Sequence, residues 1–319
     1  MKGISHNLRH CFLLSLVLLS SCHPNKSTNA KWMEEDNVDI AIDETFKPIM
    51  EELTATFAMM HPEATMKPLF VSEDSVIRLL VNDSLRSCIA TRKLNDTELK
   101  VVQGHTLSAK QTLIATDAIA LITHKDNPDS LITLDEIKAI MTGKINKWEQ
   151  LRKGTKKGDL KIVFDHSASS TVRFMKDSLC NGQPLTGPVF ASDNGTNMSV
   201  IEMVKTNPDI IGIIGTDWLK KKEDEPMADF SSLDINVMRV SKYADQAQSK
   251  YVRPYQYYIA TGEYPLLRSI YIITTDPRTK SMVRSFYFFA KGQKGQTIIC
   301  NHSQLLPYSP VQVKSVGVK

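Results

Sequence analysis

Residues 38–61 read VDIAIDETFKPIMEELTATFAMMH. The run Val38–Ile42 is short and apolar, which is typical of a buried strand, and from Phe46 onward apolar residues recur at helical spacing. The polar turn Asp43-Glu44-Thr45 lies between them. This stretch therefore predicts a strand, a turn and a helix in succession, which is the repeating unit of an α/β fold.

The same order of elements recurs along the chain. Lys67–Val71 and Cys88–Ala90 predict two more strands, each followed by a polar turn and a helix start. Later strands are predicted at Ala118–Thr123, Ile162–Phe164, Ile210–Ile214 and Leu266–Ile273. We predict a largely parallel α/β sheet, and in such sheets ligands bind beyond the carboxyl ends of the strands. The turns after the first three strands should therefore converge on one mouth.

Length and composition limit the class of protein. The chain has 319 residues, which suggests two domains at roughly 150 residues each. Apolar residues make up 42% and charged residues 23%, the usage of ordinary globular proteins rather than disordered ones. The 39 basic and 35 acidic residues give a net charge of only +4, so we expect no nucleic-acid partner. Without a heptad pattern, we expect a monomer.

The amino-terminal segment predicts export and anchoring. Lys2 and Arg9 precede the apolar run Cys11–Leu19, which is far shorter than the about 20 residues that a membrane-spanning helix needs. Small residues before Cys22 resemble a bacterial lipobox, in which the cysteine receives a lipid after cleavage. We therefore predict a signal peptide over 1–21, lipidation of Cys22 and a flexible, lipid-anchored linker over 22–37. The alternative is an ordinary signal peptide with a chance cysteine.

The cysteines and histidines indicate neither a zinc site nor catalysis. Cys88, Cys180 and Cys300 lie far apart and are expected to be structural thiols, and no spacing typical of metal ligands occurs. We expect no cofactor and no metal. Asp165, His166 and Ser167 suggest a hydrolase, but neighbours on one turn point in different directions, so we expect no catalytic residues.

The segment Ser167-Ala168-Ser169-Ser170-Thr171 lies where a predicted strand meets a predicted helix. A helix amino terminus presents unpaired N–H groups and partial positive charge, and hydroxyl groups there add neutral donors. Together they would suit a tetrahedral oxyanion. The alternative is that one serine caps the helix and the others are solvated.

Hydrogen-bond donors at other strand ends could likewise either contact an anion or serve the local structure. Arg92, next to Thr91, could hold two anion oxygens, or it could pair with a local acid on the surface. Thr45 and Ser72 could contact a ligand or could serve as plain helix caps.

Several segments, taken together and in order, resemble the PstS-like family of phosphate-binding proteins that serve ABC importers. Met141–Trp148 reads MTGKINKW and resembles the family's (F/M)-x-G-K-I-x-x-W stretch. Tyr264–Tyr271 reads YPLLRSIY and resembles its Y-P-L-x-R-x-x-Y motif. Weaker matches occur at Ala118–Ile122, Ile211–Ile214 and Gly295-Gln296, so that the resemblance extends from about Val38 to Val313.

The resemblance implies a two-lobed α/β periplasmic-binding-protein fold, similar to type II, with a hinge and an interlobe ligand cleft. It implies lobe I over 38–117 and 256–319, and lobe II over 118–255. Residues carried over by position as ligand contacts are Thr45, Ser72, Thr91, Arg92, Ser169, Ser170 and Thr171.

Two residues depart from the family's pattern. Ser170 replaces the usual glycine of the turn, and Asp165-His166 stands where the family has an arginine. Asp165 would repel an anion if it faced the site, or it could accept a hydrogen bond from a protonated phosphate, which fully ionised sulfate cannot supply. Asp43 or Asp74 could have the same role.

The resulting hypothesis is a lipid-anchored binding protein, not an enzyme, on the periplasmic side of the cell envelope. It would capture inorganic phosphate and deliver it to an ABC permease. The alternatives are a receptor for another oxyanion or an organic phosphate, a phosphate-sensing surface module, or, least favoured, a secreted hydrolase.

Overall fold

The computed structural model describes residues 37–219, 230, 233–244, 247 and 250–311. The predicted signal peptide, Cys22 and the predicted linker as far as residue 36 lie outside these ranges. The strands are β1 (Val38–Asp43), β2 (Met66–Val71), β3 (Ser87–Ala90), β4 (Lys110–His124), β5 (Leu131–Thr133), β6 (Lys161–Phe164), β7 (Val189–Ala191), β8 (Ile210–Gly215), β9 (Ile235–Val237), β10 (Arg239–Ser241), β11 (Leu267–Thr274) and β12 (Leu306–Pro307).

Helices follow most of these strands. They are α1 (Lys47–Met60), α2 (Glu73–Val81), α3 (Asp96–Gly104), α4 (Leu134–Met141), α5 (Ser170–Cys180), α6 (Asn197–Thr206), α7 (Gln256–Ala260), α8 (Met282–Lys291) and α9 (Gln293–His302). Single 3-10 turns lie at Glu44–Phe46, Trp148–Gln150 and Thr216–Leu219. None of the helices in the described ranges combines the length and the apolar character needed to cross a bilayer.

The main sheet runs in the order β2-β1-β3-β11-β4-β8-β6-β7. At one end β1 pairs in parallel with β2 and β3, and at the other β6 pairs in parallel with β7 and β8. We refer to the part built on β1, β2, β3 and β11 as the first lobe, and to the part built on β6, β7 and β8 as the second. The fold is thus the α/β, two-lobed one that the sequence predicted.

The two central strands carry the chain between the lobes. Residues 110–118 of β4 pair with β11, and Ile119–Ile122 pair with β8 instead. The strand β11 is antiparallel to β3 and β4, so the sheet is mixed rather than largely parallel. The reason is connectivity: the chain leaves the first lobe along β4 and returns along β11 in the opposite direction. The predicted lobe bounds 38–117, 118–255 and 256–319 stay predictions.

Apolar side chains between sheet and helices form the core of each lobe. In the first lobe Phe46, Leu53 and Phe57 on one face pack against Phe286. In the second lobe Trp148 and Phe164 are buried with their neighbours. The carboxyl ends of β1 and β2 in the first lobe face the carboxyl end of β6 in the second lobe. These ends position the polar residues described next.

Candidate functional site: a polar cleft between the lobes

Two helices begin on opposite sides of the cleft between the lobes. Helix α2 follows β2 in the first lobe, and α5 follows β6 in the second. Between their amino termini lies a cavity of about 150 Å³. Its lining residues are Glu73, Asp74, Ser167, Ala168, Ser169, Ser170, Val172, Arg173, Lys176 and Asp177. Helix amino termini attract negative charge. At α2 the carboxylates of Glu73 and Asp74 already supply it, whereas the first turn of α5 carries hydroxyl groups and no acid, so the start of α5 is the end that suits an anion.

Beneath this cavity, hydroxyl groups from both lobes meet. The Oγ1 atom of Thr45 lies 3.1 Å from the Oγ atom of Ser170, although the two residues are 125 positions apart in the chain. Thr45 occupies the 3-10 turn after β1, where its N–H donates to Asp43 Oδ1 at 3.0 Å. Thr171 is fully buried beside Ser170 at the start of α5. We call the six buried residues that meet here the cleft floor; they are Thr45, Ser170, Thr171, Asp43, Asp117 and Arg268.

Arg268 supplies the positive charge of the cleft floor. Its Nη1 donates to Ser170 Oγ at 3.0 Å and to Thr171 Oγ1 at 3.3 Å. Its Nε donates to Asp117 Oδ2 at 2.8 Å, and both side chains of this ion pair are at most 1% exposed. Among the described residues, Arg268 Nη2 has no hydrogen-bond partner. One buried donor of the guanidinium is therefore available to a ligand.

The surroundings fix the position of this guanidinium. Its Cζ lies 4.9 Å from the centre of the Phe46 ring. Thr216, just after β8, donates to the second oxygen of Asp117 at 2.8 Å. A Cβ atom on Gly215 would lie 3.1 Å from Arg268 Nη2, so a side chain at this position would require the guanidinium to shift by a few tenths of an ångström.

Two buried carboxylates flank the hydroxyl groups. Burial, and next the nearby negative charge of Glu73, raise the pKa of Asp43 to about 6. Burial also raises the pKa of Asp165, whose Oδ2 accepts from Asn197 Nδ2 at 3.2 Å. In the part of the chain that the structure describes, Asp43 Oδ2 and Asp165 Oδ1 are buried without a hydrogen-bond donor. A ligand that carries a proton could satisfy such an oxygen.

A second polar network lies at the mouth of the cleft. Glu73 Oε1 accepts from Thr91 N at 2.6 Å and from Thr91 Oγ1 at 2.5 Å. Arg173, in the second lobe, donates from Nε to Glu73 Oε2 at 2.5 Å and from Nη2 to Thr91 Oγ1 at 2.6 Å. We call Glu73, Thr91 and Arg173 the mouth network.

The structure brings only some of the predicted ligand contacts together. Thr45, Ser170 and Thr171 meet in the cleft floor, and Ser169 caps α5 by accepting from Val172 N at 3.2 Å. Ser72 instead donates to Ser75 Oγ at 3.1 Å.

The predicted Thr91-Arg92 pair is committed to acids of the same lobe. The hydroxyl and N–H groups of Thr91 both donate to Glu73. Arg92 makes two hydrogen bonds of 2.8 Å with Glu98, a local acid. Neither residue belongs to the cleft floor, and the roles of Ser72, Thr91 and Arg92 as ligand contacts stay predictions.

Sequence reasoning missed Arg268, Asp117 and Glu73 as members of the cleft. A signal was present for two of them, because Arg268 and Asp117 are charges inside otherwise apolar strands. A charge in a strand interior is paired or serves a site. The hydrolase alternative needs a serine hydroxyl hydrogen-bonded to His166. Among the described residues His166 Nε2 instead lies 2.6 Å from Glu44 Oε1, and Ser169 Oγ accepts from Val172 N.

Fold and cleft together define the class of two-lobed binding proteins. The family model described as the PBP superfamily domain matches residues 28–291, and the chain belongs to that superfamily. A protein named phosphate-binding protein PstS, from Borreliella burgdorferi, is 24% identical over 298 residues, covering 90% of this chain and 94% of that protein. A protein of the same name from Staphylococcus saprophyticus is 22% identical over 257 residues, covering 79% of this chain and 75% of that protein.

A solved structure supports the same fold. The ABC-type phosphate transport receptor from Vibrio cholerae superposes with a TM-score of 0.62 at 18% identity, covering 85% of this chain and 100% of that chain. These findings confirm the resemblance to the PstS-like family that the ordered motifs indicated.

Proposed function

We propose that this protein captures inorganic phosphate in the cleft between its lobes and delivers it to an ABC importer. The observation that carries the proposal is the cleft floor, where hydroxyl groups from both lobes and the buried Arg268 meet at the amino terminus of α5. The names of the relatives, phosphate-binding protein PstS and phosphate transport receptor, support phosphate as the anion.

Phosphate suits the mixture of donors and acceptors in this floor. Hydroxyl and guanidinium groups donate to phosphate oxygens, and a buried anion needs a partner for each of its oxygens. A protonated phosphate also donates a hydrogen bond, which Asp43 Oδ2 or Asp165 Oδ1 would accept. Sulfate carries no proton at neutral pH, so each buried carboxylate would repel it. The sequence indicated Asp165 as the acceptor of the phosphate proton. Asp43 is the second candidate for this role, because the hydrogen bond from Thr45 N holds it in the cleft floor.

Capture would work by closure of the lobes around the anion. Residues 110–124 of β4 and the return through β11 connect the lobes, so rotation there would open and close the cleft. The closed state would be favoured in proportion to the contacts that phosphate makes in both lobes at once. We further propose that Cys22 carries a lipid, which would keep the protein on the outer face of the membrane beside its permease.

Calorimetric titration tests the proposal. The chain expressed without the predicted signal peptide 1–21 and carrying Cys22→Ser lacks both the apolar run Cys11–Leu19 and the predicted lipid. It keeps every described residue and can be titrated after co-purified anions have been removed. We expect tight binding of phosphate and no heat with sulfate. No response to phosphate would overturn the proposal, and binding of sulfate with equal affinity would leave an oxyanion receptor without selectivity for phosphate.

A further inference from the structure

One guanidinium joins the two lobes at the mouth of the cleft. Arg173 is on α5 in the second lobe, and its partner Glu73 is on α2 in the first lobe, 100 positions earlier in the chain. The Glu73 side chain is 2% exposed and that of Arg173 is 29% exposed. The ion pair is therefore buried on one side and reaches solvent on the other.

The mouth network is complete without a ligand. Glu73 uses one oxygen for Thr91 and the other for Arg173, while Arg173 also donates to the Thr91 hydroxyl. These four hydrogen bonds, of 2.5 to 2.6 Å, all join protein atoms. Two of them, both from Arg173, cross from one lobe to the other. Opening the cleft would break these two and leave Glu73 with Thr91 alone.

We propose that Glu73 and Arg173 form a latch that holds the lobes together in the absence of phosphate and thereby sets the phosphate affinity. The effect on affinity rests on the proposed function, whereas the effect on lobe closure does not. The observed dissociation constant of a ligand equals its intrinsic value divided by the fraction of protein in the competent state. A latch that raises the closed fraction therefore tightens binding through lobe closure.

The chain offers a matched control on the same side chain. Arg173 Nη1 also lies 3.4 Å from Asp177 Oδ2, one turn along the same helix. This pair stays within the second lobe, so it cannot hold the lobes together. Asp177→Asn removes one carboxylate from Arg173, as Glu73→Gln does, but leaves the contacts across the cleft intact.

Small-angle scattering of the phosphate-free protein tests the latch directly. With the Cys22→Ser chain that lacks the predicted signal peptide as reference, we expect Glu73→Gln and Arg173→Gln each to increase the radius of gyration. Asp177→Asn should leave it unchanged. Saturating phosphate should restore compactness in every variant. An unchanged radius in both Glu73→Gln and Arg173→Gln would overturn the proposal, whether or not phosphate binds.

Phosphate titration of the same variants tests the effect on affinity. We expect Glu73→Gln and Arg173→Gln each to weaken binding about tenfold, and the double variant to lose no more than one of them, because both remove one interaction. Losses that add in full would overturn the latch. If Glu73→Gln does not fold, Arg173→Gln still tests the latch, because the Arg173 side chain is partly exposed. Arg173→Lys keeps the positive charge and should retain part of the phosphate affinity that Arg173→Gln loses. A wild-type chain that binds no phosphate would refute the proposed function but leave the scattering result standing.

Discussion

The cleft floor and the mouth network are built from the same chemistry but are satisfied differently. Each has one arginine paired with one buried carboxylate, Arg268 with Asp117 and Arg173 with Glu73. In the floor, Arg268 Nη2 and Asp43 Oδ2 are buried without partners among the described residues. In the mouth, both oxygens of Glu73 have donors. Because an unmade buried hydrogen bond is costly, the floor is suited to a ligand and the mouth to closure.

The largest effect is expected from the ion pair of the cleft floor. Arg268→Gln leaves Asp117 buried with only the Thr216 hydroxyl, and breaking a buried pair in this way costs about 3–5 kcal/mol of unfolding free energy. The same change removes the only guanidinium of the floor, so we expect phosphate binding to be lost. Urea unfolding and calorimetry measure the two effects. An unfolding midpoint equal to that of the wild type would contradict the assignment.

The next effect is a pH dependence that comes from Asp43. Its pKa rises from 3.8 to about 6 on folding, so between these values the folded state holds more protons than the unfolded state. Stability is therefore highest at low pH with respect to this group, and about 3 kcal/mol is lost as the pH rises from 4 through 6. Asp43→Asn should remove this loss in urea unfolding of the ligand-free protein.

The exposed Asp39 on the same strand is the control for that change. Asp39→Asn should leave the dependence of unfolding free energy on pH unchanged. If the unfolding free energies of Asp43→Asn and of the wild type fall in parallel from pH 4 to pH 7, the pKa of Asp43 is not raised by folding.

A smaller effect is expected from a single hydroxyl group of the floor. Thr45→Val keeps the shape of the side chain and removes the contact with Ser170, while the Thr45 N–H bond to Asp43 remains. In the proposed function the Thr45 hydroxyl donates to a phosphate oxygen, and Val cannot. A net hydrogen bond contributes about 1 kcal/mol, so we expect phosphate affinity to fall about fivefold. Calorimetry measures it, and an affinity within error of the wild type would place the phosphate away from Thr45.

The smallest effect is expected from the arginine that the sequence assigned to the ligand. Arg92 pairs with Glu98 within the first lobe, and partly exposed pairs of this kind contribute about 0–1 kcal/mol. Arg92→Gln should therefore change the unfolding free energy slightly and the phosphate affinity less than twofold. A loss of affinity comparable with that of Thr45→Val would show that Arg92 turns into the cleft when the ligand binds.

The sequence by itself determined the local elements and the position of the helix starts. Apolar periodicity located β1, β2, β3, β6, β8, β11 and the second half of β4, but it missed the short strands β5, β7, β9, β10 and β12 and the first eight residues of β4. The polar residues at Asp43–Thr45 and Ser169–Thr171 marked strand ends that meet in the cleft. The cap at Ser169 was also predictable as one of the serines before α5, because a cap depends on residues within one turn. The order of several modest motifs was enough to indicate the family.

Only the tertiary structure decided which donors face one another. Arg268 joins the floor through contacts with residues nearly 100 positions away, and Glu73 takes the donors of Thr91 that the sequence reserved for a ligand. Arg92, by contrast, bonds to Glu98 only six residues along the chain, a pairing that the sequence left open beside a role in the ligand site. The periodicity of a sequence records which face of an element is buried, whereas the pairing of charges depends on how the two lobes meet.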